Sequence, residues 1–278
     1  MPADREDNGR VAVRKTYKLF VGGEFVRSES GRAYRPDGSI NVPRGSRKDL
    51  RDAVRAARGA FPGWAGRTAM NRGQILYRAA EMLDARRSQF VELLGGGRAA
   101  RREVETAVET FVWYAGWTDK LAQVTGTVNP VAGPYFNFTL PEPTGVVGVI
   151  APEQPPLAGL VRRIAPALCG GNALVVIAAE AKPLPALTLA EVLATSDTPA
   201  GVVNVLCGYR KELLPWMAAH MDVNAIDAAG CSGDELAAIQ KAGAENVKRV
   251  VTTASSEMSP QLVTAFMEMK TVWHPIGV

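Results

Sequence analysis

Gly145-Val-Val-Gly-Val-Ile-Ala-Pro-Glu-Gln-Pro-Pro-Leu157 leads into a helical segment, 157–168, whose end reads Pro166-Ala-Leu-Cys-Gly-Gly-Asn172. The apolar run Val146 to Ile150 is too short for a helix and rich in β-branched residues, which makes it a buried strand. A proline-rich turn follows it, and the Gly170-Gly171-Asn172 break opens a second apolar run, Ala173 to Ala179. Strand, helix and strand at this spacing form a βαβ unit and imply a parallel sheet. The alternation continues through helix 184–195, strand 202–206, helix 211–220, strand 223–228, helix 233–243 and strand 247–252. The fold class is therefore α/β, a Rossmann-like doubly wound parallel sheet.

Upstream, residues 1–15 are polar and charged and are expected to form a disordered leader. Leu19 to Val26 predicts a hairpin about Gly22-Gly23. Ser46 caps a helix through Phe61, with Leu50, Val54, Ala57 and Phe61 on one face, stopped by Pro62-Gly63. A second helix is expected over 69–94, a flexible turn at Gly95 to Arg98, and a third helix from Glu103 to Leu121. Tyr135 to Leu140 alternates apolar and polar residues between Pro134 and Pro141, as a half-buried strand does.

Of the 278 residues, 47% are hydrophobic and 22% charged, the balance of an ordinary globular chain. The net charge of +4 is concentrated at Arg44 to Arg58 and Arg98 to Arg102. No aromatic stacking set accompanies it, so these are solvated helix faces, and no nucleic acid partner is expected. Cys169, Cys207 and Cys231 lie apart, without CxxC spacing or clustered histidine, which argues against a disulfide frame or a metal site. Three unpaired thiols and the lack of a long apolar run predict a cytoplasmic protein without a membrane span.

The ordered motifs resemble the cofactor domain of the aldehyde dehydrogenase superfamily. That family reads Pro-x-Gly-Val-x-Gly-x-Ile-x-Pro-Trp-Asn-Phe-Pro-Leu and then Pro-Ala-Leu-x-x-Gly-Asn-x-Val-Val-x-Lys over the stretch quoted above. Leu19 to Val26, Trp113-Tyr-Ala-Gly-Trp117 and Phe266-Met-Glu-Met-Lys-Thr-Val272 match its N-terminal hairpin, a helix motif and its C-terminal strand. The resemblance implies that 135–140 is an arm joining a sheet shared between subunits, and that the C-terminal strand pairs with a neighbour's arm. It covers roughly 18–253 and 266–275.

The chemical letters of the family are replaced. Its oxyanion-binding Asn lies in a triplet that here is Glu153-Gln154-Pro155, its adenosine-binding Lys falls at Ile177, and its general-base Glu at Thr253. After Lys248-Arg-Val-Val251 the large thiol-bearing domain does not follow; the terminal strand does. Acyl chemistry needs a thiolate, an oxyanion donor and a base. Cys169 and Cys207 fall at core positions, where a thiol is an inert hydrophobe. Cys231 follows Gly230 at a helix start, where amide dipoles lower a thiol pKa. It stands where the family's pyrophosphate-binding Ser lies; the structural or vestigial role outweighs the reactive one. His220 and His274 have no triad spacing.

No catalytic residue is assigned. Vestigial cofactor-binding residues are Glu180, the family's ribose-binding Glu, with Gly230 and Cys231; NAD stays open, weighted against binding. Interface residues are Tyr135, Phe136, Phe138 and Leu140 on the arm and Met269, Thr271 and Trp273 on the terminal strand. The expected organisation is leader 1–15, hairpin and helices 16–124, oligomerisation arm 125–142, Rossmann-like core 143–258 and terminal strand 262–278. The expected function is that of a non-catalytic structural or regulatory subunit, assembling with an active aldehyde dehydrogenase or with itself. Two alternatives remain: an NAD-dependent aldehyde oxidoreductase active only in complex, and a dinucleotide-binding module.

Overall fold

The computed structural model describes residues 15–38, 40–253 and 257–277. Most of the expected leader, and Ala254 to Ser256 after Thr253, lie outside the described residues. A hairpin, β1 (Leu19–Val21) and β2 (Glu24–Val26), precedes a two-stranded ribbon, β3 (Ala33–Tyr34) and β4 (Val42–Pro43). Four helical segments follow: α1 (Arg47–Ala65), α2 (Ala69–Ala85), α3 (Arg87–Leu93) and α4 (Gly97–Ala115). Short α5 (Leu121–Thr125) leads to β5 (Thr127–Asn129) and β6 (Tyr135–Pro143).

The core then alternates β7 (Val146–Ile150), α6 (Ala158–Cys169), β8 (Ala173–Ile177), α7 (Leu184–Ala194), β9 (Val203–Leu206) and α8 (Arg210–Ala219). It closes with β10 (Ala225–Asp227), α9 (Gly233–Ala244), β11 (Arg249–Val251), α10 (Pro260–Thr264) and β12 (Met267–Pro275). The main sheet has the order β11-β10-β7-β8-β9-β1-β2. Its five core strands are parallel, and the hairpin adds an antiparallel edge through Phe20 opposite Val205. The expected βαβ unit is present in register, Val146 against Ala173 through Ile150 against Ile177. Every residue of β7 and β8 is buried, because helices cover both faces of the parallel sheet. On one face α1 crosses β7, β8 and β9 and touches α8; on the other, α6 and α7 pack under α2 and α4.

Several expected boundaries move. Helix α1 runs through Pro62 to Ala65 instead of stopping at Phe61. Ser46 and Asp49 cap it reciprocally, at 3.3 and 2.7 Å. The expected 69–94 helix breaks at Arg86, although its apolar face continues to the buried Phe90. Gly95, Gly96 and Gly97 all have positive φ, so the turn is sharp and helix α4 starts directly at Gly97, taking Arg98 to Arg102 into the helix. It ends at Ala115, short of Leu121.

The largest correction concerns the terminal strand. Instead of awaiting a neighbour's arm, β12 pairs with β6 of its own chain along nine residues, Met267 opposite Pro143 through Pro275 opposite Tyr135. With β5 it forms a separate three-stranded antiparallel sheet. The chain turns back after α10, and Thr144 donates to the Phe266 carbonyl at 3.1 Å, which sets β12 beside β6 from its first residue.

Candidate functional site

In an open α/β sheet a ligand sits outside the carboxyl ends of the strands, where the strand order reverses. Here β7 leads to β8 and β9 on one side, whereas β10 returns to its other side, so the reversal lies between β7 and β10. The side chain that occupies this edge is Arg210, the first residue of α8. Its Nη1 donates to the Gly230 carbonyl at 2.9 Å and its Nη2 to the Ala151 carbonyl. Glu153 lies 2.9 Å from the same guanidinium and Glu235 3.8 Å away, and Arg210 is only 8% exposed. One buried cation thus touches the loops that follow β7 and β10.

Helix N-termini at this edge are natural anion sites, because their first N–H groups lack partners within the helix. Each of three is already filled from within the chain. Glu103 on α4 accepts from Leu157 N and Ala158 N, at 2.8 and 3.2 Å, at the start of α6. Glu180 accepts from Arg210 N at 2.8 Å, at the start of α8. Ser232 caps α9, and the Glu235 carboxylate returns to Ser232 N at 2.7 Å, a capping box. Asp234 adds a further negative charge to that first turn. Beside Arg210 opens a cleft of about 480 Å³ lined by Tyr34, Arg35, Glu153, Glu180 and Tyr209. There Glu153 accepts from Glu180 N at 2.8 Å and Ala181 N at 3.1 Å, and the Tyr34 and Tyr209 rings lie 5.2 Å apart. A larger groove of about 920 Å³ runs along α2 and the end of α4 and shares no residue with this edge.

The fold brings Glu180, Gly230 and Cys231 to the same edge. Gly230 is required there, because a Cβ would lie 2.4 Å from the Ile150 carbonyl oxygen. Cys231 departs from expectation. Burial and the nearby Glu235 carboxylate push its thiol up to about 12, overriding the amide dipoles expected to lower it. Burial likewise raises Cys169 to about 12 and Cys207 further, and Cys207 Sγ donates to the Pro43 carbonyl at 3.0 Å. His220 ends α8, and exposed His274 lies in β12. Arg210, at the start of α8, and Glu103, within α4, were not legible as site residues in the sequence, since no motif marks either.

Thr253 is exposed, and its carbonyl accepts from Arg163 Nη1 at 2.5 Å. The Asp227 carboxylate, on β10, lies 3.7 Å from that nitrogen; burial pushes its pKa up to about 6, and the Arg163 charge only partly offsets this. Among the described residues no cluster of three or more His, Cys, Asp or Glu could hold a metal ion. No described helix is long and apolar enough to cross a membrane.

The seven interface residues divide between the two faces of the arm sheet, since strand side chains alternate. Phe136, Phe138 and Leu140 share a face with Val128 and Val272. Tyr135, Met269, Thr271 and Trp273 lie on the other, where Thr271 and Thr139 are hydrogen-bonded at 2.9 Å and the Tyr135 and Trp273 rings are 5.7 Å apart.

A family model described as "Aldehyde dehydrogenase family" matches residues 32–273. Retinal dehydrogenase 2 of Homo sapiens is 35% identical over 266 residues, 90% of this chain and 51% of its own length. Omega-crystallin of Enteroctopus dofleini is 34% identical over 84% of this chain and 50% of its own. The NAD+ complex of an aldehyde dehydrogenase from Bacillus cereus superposes with a TM-score of 0.78 at 30% identity, covering 85% of this chain and 50% of that one. The chain thus spans about half the length of the relatives it matches. On this similarity in sequence and fold, the chain belongs to the aldehyde dehydrogenase family.

Proposed function

We propose that the chain works by assembly, as a non-catalytic structural or regulatory subunit that joins an active aldehyde dehydrogenase subunit or a second copy of itself. The observation that carries this reading is the apolar face of the arm sheet. Val128 is 68% exposed, Phe136 45%, Leu140 43% and Val272 40%, with Phe138 half-buried among them. Contiguous apolar side chains on a rigid sheet favour a protein partner over water. The Lys270–Glu142 ion pair lies on the same face, a charged margin of the kind that borders interfaces.

The chemistry supports the same reading. None of the three thiols is a thiolate near neutral pH, given their raised pKa values. The relatives' NAD raises the question whether this crevice suits a dinucleotide. It does not: the helix N-termini that would receive a diphosphate hold Glu103, Glu180 and Glu235, and Arg210 fills the space between. Three free cysteines agree with a reducing, cytoplasmic setting.

Light scattering of the purified chain, alone and mixed with an active aldehyde dehydrogenase, tests the proposal. A mass above the monomer in either sample, lost on Phe136→Glu, is expected. A monomer in both at micromolar concentration would overturn it.

A further inference from the structure

We infer that the carboxyl-edge crevice is closed by an internal ion cluster, Arg210 with Glu153 and Glu235, standing where a dinucleotide diphosphate would lie. The lock fastens the loops after β7, β9 and β10. This inference does not rest on the assembly proposal; it concerns the crevice of a single chain.

The geometry is specific to a guanidinium. Two of its nitrogens reach two different carbonyls, Ala151 and Gly230, while two carboxylates, Glu153 in the loop after β7 and Glu235 in the first turn of α9, balance its charge. A planar fork presents separate N–H donors to both carbonyls and both carboxylates in one fixed geometry, which the single ammonium of lysine matches less well. The main-chain N–H of the same residue is held by Glu180, from the loop after β8. All four central strands are therefore tied through one residue. An incoming diphosphate would have to break the Glu235 capping contact, lie beside Asp234 and displace a buried Arg210. Carboxylates already on the amides repel a second anion, and a buried charge that loses its partners is strongly penalised. In a groove that bound a dinucleotide, these amides would face open space.

Cys231 reports on the lock, because it adjoins Gly230 and its thiol is shielded and raised by burial. The experiment is alkylation by iodoacetamide, read by peptide mass spectrometry at all three cysteines, in the wild-type chain and in Arg210→Ala and Arg210→Lys. Loosening the loops should speed Cys231 labelling by about tenfold in Arg210→Ala and by less in Arg210→Lys, with buried Cys169 and Cys207 still protected. The guanidinium charge lowers the Cys231 pKa, so its loss alone would slow the reaction; a faster rate means opening. Should Arg210→Ala label all three thiols, it has unfolded globally, and Glu153→Gln decides, with faster labelling at Cys231 alone expected. Calorimetry of the wild-type chain with millimolar NAD should give no binding heat. Equal Cys231 rates in wild type and the deciding variant, or saturable NAD binding by the wild type, would overturn the lock.

Discussion

Asn172 Nδ2 donates to the Phe266 carbonyl at 3.0 Å, so a side chain at the start of β8 holds the residue immediately before β12. The same amide donates to Ala167 O, and its Oδ1 accepts from Gly145 N at 3.0 Å. Asn172 is fully buried and every partner is main chain. This one amide couples the core sheet to the arm.

Asn172→Ala is expected to lose roughly 3 kcal/mol, because it leaves the buried Gly145 N–H unpaired and removes one of the two hydrogen bonds that each of the Phe266 and Ala167 carbonyls accepts. Urea unfolding measures this; a loss below about 1 kcal/mol would mean that water replaces the amide.

Gly230→Ala should destabilise by about 1–3 kcal/mol, the usual range for overpacking. The clashing atoms are main chain, Ile150 O at 2.4 Å and Ala151 C at 2.9 Å, and cannot rotate aside. A neutral result in thermal unfolding would mean that the turn shifts freely and the edge is less rigid than described.

How far the sequence carries this fold can be seen residue by residue. Val146 to Ile150 and Ala173 to Ile177 were legible because strands covered on both faces must be continuously apolar. The helix break at Arg86 was not, since an apolar stripe persists across a change of helix axis. The start of α4 was hidden by a glycine triplet that equally suits a flexible loop. Which strand β12 would join could not be read, because alternation specifies a face, not the chain that supplies the neighbour. Glu180, Gly230 and Cys231 were placed at the edge by resemblance to the family's motifs. Arg210 and Glu103 were not, as their roles arise only when segments distant in sequence converge.

Asp227 makes stability depend on pH. Its folded pKa, about 6, lies above the ordinary 3.8, so the folded state holds the proton more tightly. The contribution is fully present below the unfolded value and is lost as pH rises through about 6. The shift corresponds to about 3 kcal/mol. Asp227→Asn should flatten this part of the stability profile between these two pH values, measured by denaturant midpoints. An unchanged slope would assign it to other carboxyls.

Phe266 and Trp273 should separate folding from association. Phe266 is fully buried, and Phe266→Ala should cost about 3–5 kcal/mol. Trp273 is 59% exposed, and Trp273→Ala should change monomer stability by under about 1 kcal/mol. A large effect of Trp273→Ala on the isolated chain would make it part of the core.

Steady-state turnover tests the proposed non-catalytic role most directly. The isolated chain, incubated with NAD and a short aldehyde, is expected to form no NADH above the uncatalysed rate across neutral to mildly alkaline pH. Sustained NADH formation that disappears on Cys231→Ala would contradict it.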